Sequence, residues 1–167
     1  MTAKLSAEEM QQRRALFGKL RDGLRPVKPY RWQVEGGTLL EIPVTTMPLF
    51  KVPFHLSYVL YLSGFAPALA LRYFQSTMRL CQLTGTQPSL LLHPLDFLGC
   101  DDTQDMSFFP TMRLPSDKKL EVVSEVLRLL CDQFIVVTLQ QHAHRVDCMS
   151  SLPVVKLSLQ QPKRWLG

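Results

Sequence analysis

Hydrophobic positions along the chain fall into two kinds of pattern, one spaced by three and four residues and one continuous. The first kind predicts helices. Over 67–83, Leu69, Tyr73 and Leu80 share a face with Ala70, Phe74 and Cys81 beside them, and Gly85 closes the segment. Over 116–132, Leu120, Val123, Val126, Leu127 and Leu130 form a stripe that opens on Ser116. Near the start, Ser6 and Glu9 are spaced as a capping box. Leu16, Phe17 and Leu20 give that helix a small apolar face, and Gly23 suits its end.

The continuous pattern predicts strands. One is expected over 38–45, ending around Pro43, because proline donates no hydrogen bond to a ladder. A second runs over 88–93, as Ser89-Leu90-Leu91-Leu92-His93, and a third over 134–139, rich in Ile and Val. The residues before the first strand, RPVKPYRWQVEGG, carry two prolines and a double glycine and suggest an irregular connection. From His144 onward periodicity is lost, so 144–167 is expected to be an irregular tail.

Strand, helix, strand, helix, strand is the order of an α/β domain with parallel strands and right-handed crossovers. A complete parallel barrel takes about 200 residues or more. The chain, at 167 residues, is therefore expected to be the closing part of something larger, an incomplete piece of the fold.

Composition narrows the function classes. Nineteen Lys and Arg against 14 Asp and Glu leave +5, but the basic residues are scattered and form no stripe for nucleic acid. The four cysteines lie far apart, which argues against a metal knuckle and a disulfide scaffold and for a cytoplasmic protein with reduced thiols. The apolar stretch over 52–71 is long enough on paper to span a membrane, since a span needs about 20 residues. Pro53, His55, Ser57, Ser63, Gly64 and Pro67 interrupt it. Two short buried segments around a turn are expected, with peripheral contact to a membrane or lipid as the other reading.

Among candidate functional groups, His93 stands first. It sits where an apolar segment meets a polar loop, the position at which α/β folds gather their chemistry. Asp96, three residues on, is close enough to orient an imidazole or to raise its pKa. Asp101, Asp102 and Asp105 form an acidic cluster that reads first as a solvated loop and second as a hard-cation site. His142 and His144 lack a third ligand nearby, and His55, between Phe54 and Leu56, suits a packed position.

Three segments, LLEIPVTTMPLFKVPFHLSYVLYL, SLLLHPLDFLGCDD and SFFPTMRLPSDKKLEVVSEVLRLL, resemble the C-terminal part of polysaccharide deacetylases of the NodB-homology type. The likeness covers about 16–143, with 144–167 outside it. It implies a distorted (β/α) barrel, hydrolysis of the N-acetyl amide of a sugar, and a divalent metal, usually zinc, held by an aspartate and two histidines. It also implies a late strand-end histidine as the acid, which His93 matches, with Asp96 as its neighbour. The family's TFDDG-like and HxxxH motifs, which supply the base and the metal ligands, are absent from this chain. The complete family domain would thus carry the metal, and the isolated chain would bind none and be inactive. The expected partner is an N-acetylated sugar or polysaccharide, free or lipid-linked, and not nucleic acid. The alternative is a non-catalytic module with a carbohydrate- or lipid-facing groove.

Overall fold

A computed structural model describes residues 27–156 of the chain. The helix expected from Ser6 to Gly23 lies outside the described residues. The remainder is mixed α/β, with four helices and a three-stranded sheet among the described residues.

The sheet begins earlier than the sequence suggests. β1 (Tyr30–Val34) occupies the stretch expected to be irregular, because Tyr30, Trp32 and Val34 are residues that favour a pleated surface. It pairs antiparallel with β2 (Gly37–Glu41), and Gly36 supplies the left-handed backbone (φ 81°) of the tight connection. β2 stops two residues short of Pro43, in keeping with the expected interruption. β3 (Val154–Lys156) joins the other side of β1 in parallel, giving the order β2-β1-β3. Arg31 anchors this end by donating to the Asp147 carboxylate at 2.7 Å. Residues 144–156 are therefore not an irregular tail.

The helices among the described residues are α1 (Leu56–Ser63), α2 (Pro67–Leu83), α3 (Ser116–Gln133) and α4 (Leu139–Asp147). The apolar stretch breaks at a turn between α1 and α2, as expected, but α2 is no short segment, since it runs 17 residues from a start at Pro67 whose missing N–H costs nothing. No helix among the described residues is long and apolar enough to cross a membrane. Phe54, Leu56, Val59 and Leu60 meet Phe74, Met78 and Cys81 of α2 and Val123, Val126 and Leu130 of α3 in one core. On α2 the buried line is Ala70, Phe74, Thr77, Met78 and Cys81, while Leu69 faces out.

Two expected strands are not formed. Residues 88–93 are extended without a ladder. Ser89 N–H donates to the Thr45 hydroxyl at 2.7 Å, and the Leu91 carbonyl accepts from the first amide of α1, at Leu56. These partners, distant in sequence, take two of the backbone groups that a neighbouring strand would need. Residues 134–139 form no strand ladder among the described residues either. Ile135 is 89% exposed, and Thr138 instead caps α4 in a reciprocal box with Gln141. β-branched residues favour strands only when a neighbouring strand and a face to bury exist. The expectation of an all-parallel arrangement is likewise corrected, since one of the two strand pairings is antiparallel.

Candidate functional site

The His93 region is built where the extended segment meets the start of α1. Pro94 opens a single turn of 3₁₀ helix (Pro94–Asp96), with the Asp96 amide donating to the His93 carbonyl at 2.9 Å. That turn folds the Asp96 side chain back toward His93, and the carboxylate is fully buried. Its Oδ2 accepts the His93 backbone N–H at 2.7 Å, and its Oδ1 accepts the Ser57 hydroxyl at 2.6 Å. A buried carboxylate needs such donors, since an unpaired one would neutralise or drive the loop open.

The same serine reaches His93, with Oγ 3.2 Å from Nδ1. A serine hydroxyl carries one proton, and the short bond commits it to Asp96. Its oxygen can then only accept from the imidazole, so the hydrogen-bond network assigns the proton to Nδ1. Asp96 Oδ2 lies 3.6 Å from Nδ1, too far for a hydrogen bond. Nε2 is left as the exchanging nitrogen, on a side chain 44% exposed. A carboxylate, a hydroxyl and an imidazole thus form a short relay that fixes one ring nitrogen and frees the other.

Two further residues complete the surroundings. His55, at the N-cap of α1, stacks edge-on against Tyr58 at 4.4 Å and lies 5.9 Å from the His93 ring. Burial holds its pKa below the usual histidine value, the neighbouring His93 lowers it further, and the Asp96 carboxylate opposes both. Beneath the loop, Lys119 is fully buried, its ammonium donating to the carbonyl of Leu95 at 2.9 Å and to that of Leu98. Desolvation lowers its pKa, opposed by the nearby Asp96 charge. Lys119 thus ties α3 to the residues on both sides of Asp96.

The other candidates are placed apart. Asp101 accepts both the amide and the hydroxyl of Ser116 at 2.8 Å, which caps α3 and holds its carboxyl below the usual range. Asp102 accepts the Gly99 amide at 2.8 Å. Gly99 permits this arrangement because any side chain would overlap Ser116 and the Asp101 carboxylate. Asp105 is exposed. His142 and His144 lie on α4, where a spacing of two turns them onto different faces. Among the described residues no three His, Cys, Asp or Glu side chains are grouped to hold a metal ion.

Sequence reasoning missed Ser57 and Lys119. Ser57 carried little signal beyond being a polar residue in an apolar run. Lys119 carried more, since it stands four residues before Val123 on the stripe that continues through Val126 and Leu130. Leu120, placed on that stripe from the sequence, is 45% exposed instead. No family model matches the chain, and neither does any curated protein or solved structure.

Proposed function

We propose that the chain is the closing part of a metal-dependent carbohydrate deacetylase, a piece of a distorted (β/α) barrel, in which His93 is the acid that completes amide hydrolysis. The observation that supports this is the Ser57–Asp96 clamp on Nδ1, which reserves Nε2 for proton exchange. Once water has added to the acetamide carbonyl, the C–N bond breaks only if the nitrogen leaves as an amine. Protonated His93 gives the proton at Nε2 to that nitrogen, becomes neutral, and is recharged from solvent. Asp96 orients the ring through Ser57. The substrate is an N-acetylated sugar or polysaccharide, by resemblance alone.

The described residues do not fit the metal that the family carries. Both Asp96 oxygens are engaged by Ser57 and by the His93 amide, and His55 with His93 alone is short of a donor set. Water activation is therefore no task of these residues, and the metal-bearing motifs would come from elsewhere. The test joins the chain to a deacetylase portion bearing the Asp-Asp and HxxxH motifs and follows acetate release from N-acetylchitotriose. His93→Ala should lower kcat by about 10²–10⁴, the usual contribution of a positioned acid. A change of less than about threefold, far below that contribution, would overturn the role.

A second reading, a non-catalytic module facing carbohydrate or lipid, draws on the exposed rings of Tyr58, Tyr61 and Phe65. It expects binding of the same trisaccharide with no acetate released from any joined form.

A further inference from the structure

Ring contacts do not stop at His93. From His93 they pass to His55, and from His55 to Tyr58. Tyr61 lies one turn further along α1 and meets Phe65, just beyond the helix, edge to face at 5.2 Å. Tyr58, Tyr61 and Phe65 follow the spacing of one helical face, and all three are exposed. At 1.5 Å per residue, His55 to Phe65 is about 15 Å, room for more than one sugar ring.

The far end of this row opens into a cleft of about 310 Å³ lined by Leu60, Tyr61, Phe65, Pro110, Arg113 and Leu114. That volume is at the small end of ligand sites, which start at about 300 Å³. The cleft combines ring faces and edges, a hydroxyl from Thr111 and a guanidinium. Arg113 forms no ion pair or hydrogen bond among the described residues, as is also true of Arg72, Arg79 and Arg145, but it alone of these lines the cleft. A guanidinium without a partner in a cleft lined by edge-to-face rings is matched by a flat, partly apolar ring that carries an anion. The chain's net charge of +5 favours the approach of such a ligand.

We propose that this cleft is a binding subsite for an acidic sugar unit, whose ring rests on Tyr61 and Phe65 and whose carboxylate or phosphate meets Arg113. The inference rests on the carbohydrate reading above and sharpens it: the glycan is an acidic one, lying along α1 with a neighbouring unit toward His93. Gly64 makes the assignment testable. Its backbone is helical (φ −62°), and an added Cβ would meet the Tyr61 carbonyl oxygen at 3.4 Å and Leu114 at 3.8 Å, so the backbone accepts a side chain at this position of the cleft lining.

The experiment titrates the 167-residue chain with trigalacturonate, N-acetylglucosamine 6-phosphate and neutral N-acetylchitotriose at fixed salt, by calorimetry and by NMR. At least one acidic probe should bind more tightly than the neutral one, with shifts at Tyr61, Phe65 and Arg113. Which acidic probe does so separates carboxylate from phosphate. Arg113→Gln should weaken it about 10- to 100-fold, the worth of a charged hydrogen bond. Gly64→Met should abolish it, while Lys118→Gln, on the exposed flank of α3, should leave it unchanged. Equal binding of the neutral trisaccharide, or no effect of Arg113→Gln, overturns the subsite. Shifts from the neutral trisaccharide confined to His55 and His93 would discard the cleft and keep the carbohydrate reading. Acetate release by the joined chain tests that reading separately.

Discussion

Asp96 and Asp101 lie five residues apart in one loop and are bonded in nearly the same way. Each accepts one serine hydroxyl and one backbone amide, at 2.6 to 2.8 Å. Their surroundings differ in every other respect. Asp96 is fully buried, with an imidazole on one side and the Lys119 ammonium beneath the loop. Asp101 is at the surface, where its bonds start α3. The difference shows that the bonding pattern of a carboxylate does not define its work. Burial beside the His93 ring suits Asp96 to the support role proposed above, while exposed Asp101 holds the first residue of α3.

The two carboxylates should separate most clearly in the enzyme-like assay. Asp96→Asn in the joined protein should lower kcat by loosening the hold on Ser57 and the His93 ring. Asp101→Asn should leave kcat in place, and equal losses would mean that Asp96 has no special part. Next in size is the loop's foundation. Lys119→Met keeps most of the volume but strips two carbonyls of their donor, and should cost about 2–4 kcal/mol in thermal or urea unfolding. Loss of under about 0.5 kcal/mol, the range of ordinary surface changes, would show that Lys119 holds nothing in place.

Much of this contrast was out of reach of the sequence. The helices over 67–83 and 116–132 were legible because their apolar spacing repeats over four turns. His93 and Asp96 were found together because three residues and a proline make a local turn. The strands over 88–93 and 134–139 were misread for one physical reason: apolar and β-branched runs signal a face to bury, and pairing is decided by distant segments. β3 shows the converse, three residues made a strand by β1, more than a hundred positions earlier. Ser57 meets Asp96 across 39 residues, and nothing local announces the contact.

Smaller effects follow from pH and thiol chemistry. The folded state holds His55 below the ordinary histidine value of 6.5. Folding therefore favours its neutral form, so this contribution is complete above pH 6.5 and is lost as pH falls through the lowered pKa. His55→Phe should flatten the slope of stability between pH 7 and 5, and an unchanged slope would place the titration elsewhere. Asp101 has the same sign in a lower window: its contribution holds above pH 3.8 and fades below it. Cys81 is buried, its thiol pushed up to about 11, while Cys131 and Cys148 are exposed. Alkylation at pH 8 should label the latter two and spare Cys81 until the chain unfolds. Prompt labelling of Cys81 would mean that the helical core opens readily.

The most direct measurement is the tautomer of His93, read from its ring ¹⁵N shifts and long-range ¹H–¹⁵N couplings in the 167-residue chain above its pKa. A proton on Nδ1, with Nε2 carrying the lone pair, is expected from the Ser57–Asp96 clamp, and Ser57→Ala should release that preference. A wild-type ring protonated at Nε2, unchanged by Ser57→Ala, would contradict the clamp and with it the assignment of Nε2 as the nitrogen that exchanges the proton.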